Sequence, residues 1–208
     1  PTNVILHGKL TRLWGEESAP CEVLGVKARV SPLSFMQIND EVRDLIYSAA
    51  ALQAAALDNA TVIDAYSGTG MLTNILAKHA SRVVGIEIVP EAVADADALT
   101  AMNGNEGKVR NICGDCAEVL PREVAALAAQ NTPSVVVLDP PRKGCDKKVV
   151  DALLSAVPDK IVYISCNPAT LARDVALLMQ KYDITSVTPY DMFPQTKHVE
   201  TLICLERK

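Results

Sequence analysis

Cys166 stands at a point in the sequence where a reactive thiol is expected. It follows an apolar run, residues 160–165, and precedes Pro168, a residue type that often begins a helix. A helix N-terminus stabilises a thiolate, and a thiolate is a nucleophile that can form covalent intermediates. The pattern therefore predicts Cys166 as a nucleophile, although cysteines at strand ends are more often inert buried thiols.

A candidate general base lies beside the last apolar run of the chain. Glu200 follows a loop that contains Phe193 and Pro194, and apolar shielding raises the pKa of a carboxylate toward the range that suits proton abstraction. His198 is the alternative base, but we expect it to orient a neighbouring group instead. Glu200 is therefore the predicted base.

An Asp-Pro-Pro turn, residues 139–141, follows a third apolar run and indicates a pocket for a nucleobase. The two prolines fix an extended turn that holds Asp139 at the end of the run, and many nucleic-acid methyltransferases carry such a turn. Methylation of an amine needs no nucleophile from the enzyme. Carbon 5 of a pyrimidine, in contrast, becomes reactive only after a thiolate adds to carbon 6. Cys166 beside Asp139 therefore favours methylation at carbon 5.

A glycine turn indicates a nucleoside cofactor. Gly68 and Gly70 allow the backbone to turn tightly and to approach a ligand. Thr73 replaces the third glycine of a dinucleotide fingerprint, which makes a pyrophosphate site less favourable than a nucleoside site. Glu87 ends the next apolar run, where a carboxylate accepts ribose hydroxyls, and Asp115 follows the third run, where it suits an adenine amino group.

Alternating β-rich and helical runs position all of these residues. The β-rich runs are residues 61–64, 82–87, 109–113, 134–138 and 160–165, and each precedes a helical stretch. This alternation predicts an α/β fold with a doubly wound, Rossmann-like sheet that binds ligands at the carboxyl ends of its strands. A helix over residues 39 to about 57 precedes the sheet, and runs 184–190 and 199–206 are expected to close it as an antiparallel hairpin.

Composition narrows the functional classes. The net charge of −5 gives no overall electrostatic footprint for nucleic acid, so any RNA contact must be local or lie elsewhere. Six scattered cysteines without an apolar leader favour a reducing cytoplasm, and Cys113 and Cys116 lack a second pair that would complete a metal site. The lack of a second pair leads us to expect no metal. No apolar run of about 18 residues is present, so we also expect no membrane span.

The sequence resembles the bacterial RNA (uracil-5-)-methyltransferases, class I enzymes that act on tRNA and 23S ribosomal RNA. The resemblance covers about residues 31–205, and its five motifs are residues 34–39, 64–70, 139–144, 165–174 and 193–200. It implies S-adenosylmethionine as cofactor and RNA as partner. It also implies that Cys166 is the nucleophile, that Glu200 is the base, and that the cofactor or its junction with the base is contacted by Gln37, Tyr66, Glu87 and Asp139.

The chain departs from this family in three ways. Met71 stands where members often carry an asparagine, which puts one cofactor contact in doubt. The cysteine cluster of the members with an iron–sulfur centre is not in this chain, and neither is their small N-terminal β-barrel that binds RNA. Since the chain begins at Pro1, we expect residues 1–30 to be the remnant of a preceding β-rich segment and residues 31–208 to be the catalytic domain.

The expected target is a uridine of 23S ribosomal RNA, and tRNA is the alternative. A cytosine-5 methyltransferase is disfavoured because a cysteine commonly follows the Asp-Pro-Pro turn in those enzymes, whereas Arg142 follows it here. An exocyclic-amine methyltransferase would make Cys166 and Glu200 dispensable. A non-catalytic RNA-binding module is disfavoured because both reactive residues are present.

Overall fold

A computed structural model describes residues 11, 13–16, 18–30, 37 and 39–208. Two strands form a separate hairpin, β1 (Ala19–Val23) and β2 (Val26–Val30). The main sheet contains β3 (Thr61–Ala65), β4 (Arg82–Glu87), β5 (Val109–Cys113), β6 (Ser134–Leu138), β7 (Lys160–Ser165), β8 (Tyr182–Tyr190) and β9 (Glu200–Arg207). The helices are α1 (Asp40–Ala55), α2 (Met71–Leu76), α3 (Pro90–Met102), α4 (Cys116–Ala129), α5 (Lys147–Ala156) and α6 (Pro168–Leu178).

The seven strands have the order β5-β4-β3-β6-β7-β9-β8. Strands β3 to β7 pair in parallel, and β9 pairs antiparallel with both β7 and β8. The doubly wound sheet and its C-terminal antiparallel hairpin are therefore confirmed. The strand order reverses at β3, and such a switch point opens a crevice at the carboxyl ends of the strands.

Alternate residues of each central strand pack on opposite faces of the sheet, as strand geometry requires. Val62 of β3 joins a core with α1, α2 and α3, whereas Ile63 joins a core with α4, α5 and α6. Because β3, β6 and β7 are covered on both faces, nearly all of their residues are buried. The residues that follow these strands are held on a rigid support.

The β1–β2 hairpin packs on the α2–α3 side of the sheet. Val23 and Val26 are buried in the first core. The Asn103 side chain pairs with the backbone of Lys27 in both directions, with two hydrogen bonds of 2.9 Å. Short β pieces before residue 30 are thus observed for residues 19–30. The apolar run at residues 4–6 lies outside the described residues, and the domain boundary at residue 30 stays a prediction.

Helix α1 runs antiparallel to β7, from the carboxyl edge of the sheet to the opposite edge. Its N-cap Asn39 accepts a hydrogen bond from the Val42 N–H and donates to the Met192 carbonyl, both at 3.2 Å. At the other end, Lys160 donates to the side-chain oxygen of Gln53 at 2.8 Å. The predicted helix is confirmed, with Asn39 as its cap. None of the described helices has the length and apolar character needed to cross a bilayer.

Candidate active site

The pairing of β7 with β9 brings Cys166 and Glu200 together. Ser165, the last residue of β7, pairs with Thr201 of the antiparallel strand β9. Cys166 directly follows Ser165 and Glu200 directly precedes Thr201, so both lie just past the same end of this pair, and the charge of Glu200 reaches the Cys166 thiol. Cys166 is half-buried and Glu200 is 6% exposed. The structure therefore places the predicted nucleophile beside the predicted base.

The Cys166 thiol is not stabilised as a thiolate in this state, contrary to the expectation from the sequence. Its pKa lies above the usual value because burial disfavours the charged form and because the charges of Glu200 and Asp139 repel it. Arg142 acts in the opposite direction. The helix itself is as predicted, since Asn167 caps α6 by accepting a hydrogen bond from the Ala169 N–H at 3.1 Å. Burial and the two nearby acids therefore determine the direction of the shift.

The pKa of Glu200 is raised above its usual value, in the direction predicted from the sequence. Burial is the main cause of this rise, and the positive charge of Arg142 opposes it. The His198 ring packs edge-on against Phe193 with 6.5 Å between ring centroids. A raised pKa suits a carboxylate for proton abstraction near neutral pH.

Asp139 follows β6 at the same edge of the sheet and is half-buried. Burial raises its pKa to about 7, and the charges of Glu200 and Asp64 add to the rise. Asp64, at 1% exposed, accepts a hydrogen bond from the Thr73 hydroxyl at 2.6 Å, yet its own burial also raises its pKa to about 7. Near neutral pH, both carboxyls can therefore hold or release a proton.

We expect Asp139→Asn to make stability less dependent on pH. The pKa of Asp139 is about 7 in the folded protein and 3.8 in the unfolded chain. Between these two values the folded state therefore holds a proton that the unfolded state has lost. The wild type therefore loses stability as pH rises from about 4 to about 7, by at most about 1.4 kcal/mol per pH unit for this group. Melting temperatures from pH 4 to pH 8 should fall less steeply in the variant. An equally steep fall in Asp139→Asn and in the exposed control Asp58→Asn would contradict this assignment.

The glycine turn leaves open space at the cofactor edge. The backbone has positive φ at Tyr66, Gly68 and Gly70, of 68°, 54° and 81°. A Cβ added at Gly68 would have no atom within 4 Å, whereas one at Gly70 would lie 2.8 Å from the Ala96 Cβ. Gly70 thus permits close packing on α3, and Gly68 borders a space that a ligand can fill.

Glu87 holds the glycine turn. Its carboxylate accepts the Gly68 N–H at 3.0 Å and the Val89 N–H at 2.9 Å, one on each oxygen. A carboxylate has about four acceptor positions, so two remain for hydroxyl groups. Ile88 beside it exposes 60% of its surface and offers an apolar face next to this acid. The combination fits a nucleoside with a ribose diol and a flat base.

The remaining predicted site residues lie at the same edge or near it. Asp115 is exposed and caps α4 by accepting the Ala117 N–H at 2.9 Å. The Tyr66 hydroxyl interacts with the Cys145 thiol, and burial raises the pKa of the phenol. Gln37 is half-buried and is not the helix cap. Most of its motif, residues 34–36 and 38, lies outside the described residues.

The C-x-x-C pair forms no metal site within the described part of the chain. Cys113 is exposed, whereas Cys116 is the first residue of α4 and is buried. No cluster of three or more His, Cys, Asp or Glu side chains suited to a metal occurs among the described residues.

Two residues near the site were not among the site residues predicted from the sequence. Tyr47 of α1 is half-buried, and its pKa is raised by burial and by the charges of Asp139 and Asp64, which places its phenol near both acids. Helical side chains tilt toward the helix N-terminus, here toward the carboxyl edge of the sheet. Arg142 is the cation whose charge reaches both Cys166 and Glu200. In the sequence, Tyr47 could have been identified by its position one helical turn after Arg43. Arg142 could have been identified by its place directly after the Asp-Pro-Pro turn.

Comparisons with known proteins identify the family of this chain. Residues 22–208 match the family model described as tRNA (Uracil-5-)-methyltransferase. An uncharacterized RNA methyltransferase of Halalkalibacterium halodurans is 42% identical over all of this chain and 44% of its own length. One from Clostridium acetobutylicum is 41% identical over 99% of this chain and 44% of its own length. The chain thus spans less than half of the relatives that it matches.

A solved structure is also similar to this chain. The tRNA (uracil-54, C5)-methyltransferase of Pyrococcus abyssi, in complex with S-adenosyl-L-homocysteine, superposes with a TM-score of 0.78 and 28% identity. The match covers 99% of this chain and 48% of that one. A SAM-dependent methyltransferase of Agrobacterium tumefaciens, at 14% identity and a TM-score of 0.70, shares the fold.

Proposed function

Because this chain belongs to the tRNA (uracil-5-)-methyltransferase family, we propose that it transfers a methyl group to carbon 5 of a uridine in RNA. The observation that carries the proposal is that the pairing of β7 with β9, which ends at Ser165 and Thr201, brings Cys166 close enough to Glu200 for the charge of Glu200 to raise the pKa of the thiol. An exocyclic-amine methyltransferase needs neither residue, whereas carbon-5 chemistry needs both a nucleophile and a base. The six cysteines are all free, which agrees with a reducing cytoplasm as the place of action.

The proposed cofactor is S-adenosylmethionine, which when bound supplies a methyl group on a positively charged sulfur. Glu87 would accept the ribose hydroxyls with its two remaining acceptor positions, and the exposed carboxylate of Asp115 would accept the adenine amino group. The open space at Gly68 would admit the nucleoside. Gln37 and Tyr66 are proposed as further contacts at the junction with the uracil.

We expect Glu87→Gln to weaken cofactor binding about 10- to 100-fold, because hydrogen bonds to a charged group contribute roughly 1.5–3 kcal/mol. The amide group would also point a donor at the N–H of either Gly68 or Val89 and so loosen the turn. Titration calorimetry with S-adenosylhomocysteine measures the effect. The exposed Glu91→Gln, at the start of α3, is the control. Equal affinities for the two variants would remove Glu87 from the proposed site.

The chain's own residues then perform the reaction on a uridine flipped out of its stack. The Cys166 sulfur bonds to carbon 6, and the electrons of the double bond between carbons 5 and 6 move toward the oxygen on carbon 4. Carbon 5, now enolate-like, takes the methyl group. Glu200 removes the hydrogen of carbon 5, and the bond between sulfur and carbon 6 breaks, which restores the double bond and the thiolate.

Asp139 is proposed to accept the proton that the Cys166 thiol loses. Cys166 must lose its proton before it attacks, and its raised pKa makes an acceptor necessary. With a pKa of about 7, Asp139 can accept that proton at neutral pH. The resulting neutral acid can donate a hydrogen bond to the uracil oxygen on which negative charge develops.

The target RNA is proposed to be 23S ribosomal RNA, as expected from the sequence, and tRNA is the second candidate. The second candidate is favoured by the matched family description and by the tRNA specificity named for the Pyrococcus abyssi relative. Target choice in such enzymes depends on RNA shape. The relatives are more than twice as long as this chain, so RNA affinity is expected to be weak in this part alone.

Mass analysis of digested RNA tests the proposed function. The protein is incubated with S-adenosylmethionine and with unmodified 23S ribosomal or tRNA transcripts, and the nucleosides are then separated. We expect 5-methyluridine in one of the two transcripts. The appearance of 5-methylcytidine, or of a methyl group on an exocyclic nitrogen, would overturn the proposal.

A further inference from the structure

The segment between β6 and the first turn of α5 carries a local positive charge. Residues 142–148, here termed the cationic loop, contain four lysine or arginine residues and one aspartate, in a chain whose net charge is −5. The loop follows the Asp-Pro-Pro turn, so it begins at the edge of the sheet that carries Asp139 and Cys166. This positive region therefore borders the proposed uridine pocket.

The cationic loop is fixed to the first turns of α6. The Arg142 carbonyl accepts hydrogen bonds from the Thr170 hydroxyl at 3.2 Å and from the Asn167 side chain at 3.3 Å. The Lys143 carbonyl accepts one from Arg173 at 3.0 Å. These three donors lie one to seven residues after Cys166, so the loop and the nucleophile share one rigid support.

A buried carboxylate and a glycine complete the attachment. The Cys145 N–H donates to Asp174, which is 1% exposed, at 2.9 Å, and the Tyr163 hydroxyl donates to the same oxygen at 2.8 Å. Gly144 has a φ of 78°, and a Cβ added there would lie 2.5 Å from Asp174 Oδ2 and 2.7 Å from Arg173 Nη2. The backbone of the loop thus packs against α6 as closely as a glycine permits.

The lysine side chains of the loop remain available to a ligand. Lys143, Lys147 and Lys148 are 65%, 83% and 76% exposed, and each pairs with an acid, Asp146, Asp151 or Glu118, at 3.0, 2.6 and 3.8 Å. Exposed ion pairs of this kind contribute little and are screened by salt. A polyanion that brings several phosphates at once can therefore replace them.

We propose that the cationic loop binds backbone phosphates of the RNA strand next to the target uridine. The inference rests on the proposed function and adds a second contact surface to that site. Phosphate contacts set the register of a nucleic acid on a protein, and a rigid loop loses little conformational entropy on binding. Since the loop is anchored on α6, phosphates bound there would lie at a fixed distance from Cys166. That distance would select the nucleotide that enters the pocket.

Salt-dependent RNA binding tests this inference. The variant K143Q/K147Q/K148Q is compared with the charge-matched control K27Q/K181Q/K208Q, whose lysines are exposed and lie outside the loop. The probe is a fluorescein-labelled RNA hairpin with uridines in its loop, and anisotropy is measured from low to moderate salt. Arg142 is left intact because its charge reaches Cys166. The slope of log K against log salt should become shallower by about two in the loop variant, and affinity should fall roughly tenfold.

The outcomes separate this inference from the proposed function. S-adenosylhomocysteine affinity, measured on the same samples, should be equal in both variants and shows that the fold is kept. A slope change confined to the loop variant supports the inference even if no 5-methyluridine is ever formed. Equal slopes in the two variants would overturn it, and so would a failure of the unsubstituted chain to bind the hairpin at low salt.

Discussion

Cys166→Ala will lose methyl transfer by a factor on the order of 10⁴–10⁶, because removal of the nucleophile from a covalent catalyst has effects of that size. A 5-fluorouridine RNA is the probe, since its fluorine cannot be removed as a proton and the reaction stops at the methylated adduct. Intact mass should show protein, RNA and methyl group joined in the wild type and no such complex in the variant. Cys166 is half-buried, so the substitution should leave the fold intact.

A control variant and a pH dependence complete this experiment. Cys21→Ala removes another half-buried thiol from the β1 strand and should form the complex as the wild type does. Because the pKa of Cys166 is raised, the wild-type complex should form faster as pH increases above neutrality. A covalent complex in Cys166→Ala would show that another residue is the nucleophile.

Glu200→Gln is expected to stall the reaction after methyl transfer, with turnover reduced roughly 10²- to 10⁴-fold, the usual contribution of a general base. The charge of Glu200 raises the pKa of Cys166, so the neutral amide should make the thiolate easier to form. Addition to carbon 6 should therefore not be slowed. The variant should accumulate a covalent adduct with ordinary uridine RNA, detectable by intact mass.

His198→Gln is the matched comparison for the base. His198 precedes Glu200 by two residues and is the alternative base in the sequence. In the structure its ring packs on Phe193. We expect this variant to turn over without an accumulated adduct. If His198→Gln stalls and Glu200→Gln turns over at the native rate, the assignment of the base is reversed.

The sequence predicted the sheet because its signals are local. The apolar runs of β3 to β7 are short and are separated by helical stretches, and each observed strand lies within a residue of the predicted one. Topology rules then place residues such as Glu87 and Asp139 at one edge. Their roles stay predictions, but their proximity follows from strand order alone.

Other features depend on contacts that local patterns do not contain. The pairing of Ser165 with Thr201 fixes which acid faces Cys166, and register is set by the whole sheet. The direction of the pKa shift of Cys166 is set by burial and by two acids that are distant in the sequence but close in the fold, and it differs from what the helix end alone would give. Tyr47 reaches the site only because α1 crosses the sheet antiparallel to β7.

The position of β9 has a consequence for synthesis on the ribosome. This strand comes last among the described elements, yet it lies between β7 and β8. A nascent chain that has already made Cys166 still lacks the acid opposite it until β9 has emerged and inserted into the sheet. The Cys166 thiol therefore exists for some time without Glu200 beside it, and the proposed site is complete only when β9 lies between β7 and β8. Premature release of the chain before that step would yield a protein that has Cys166 but not the complete proposed site.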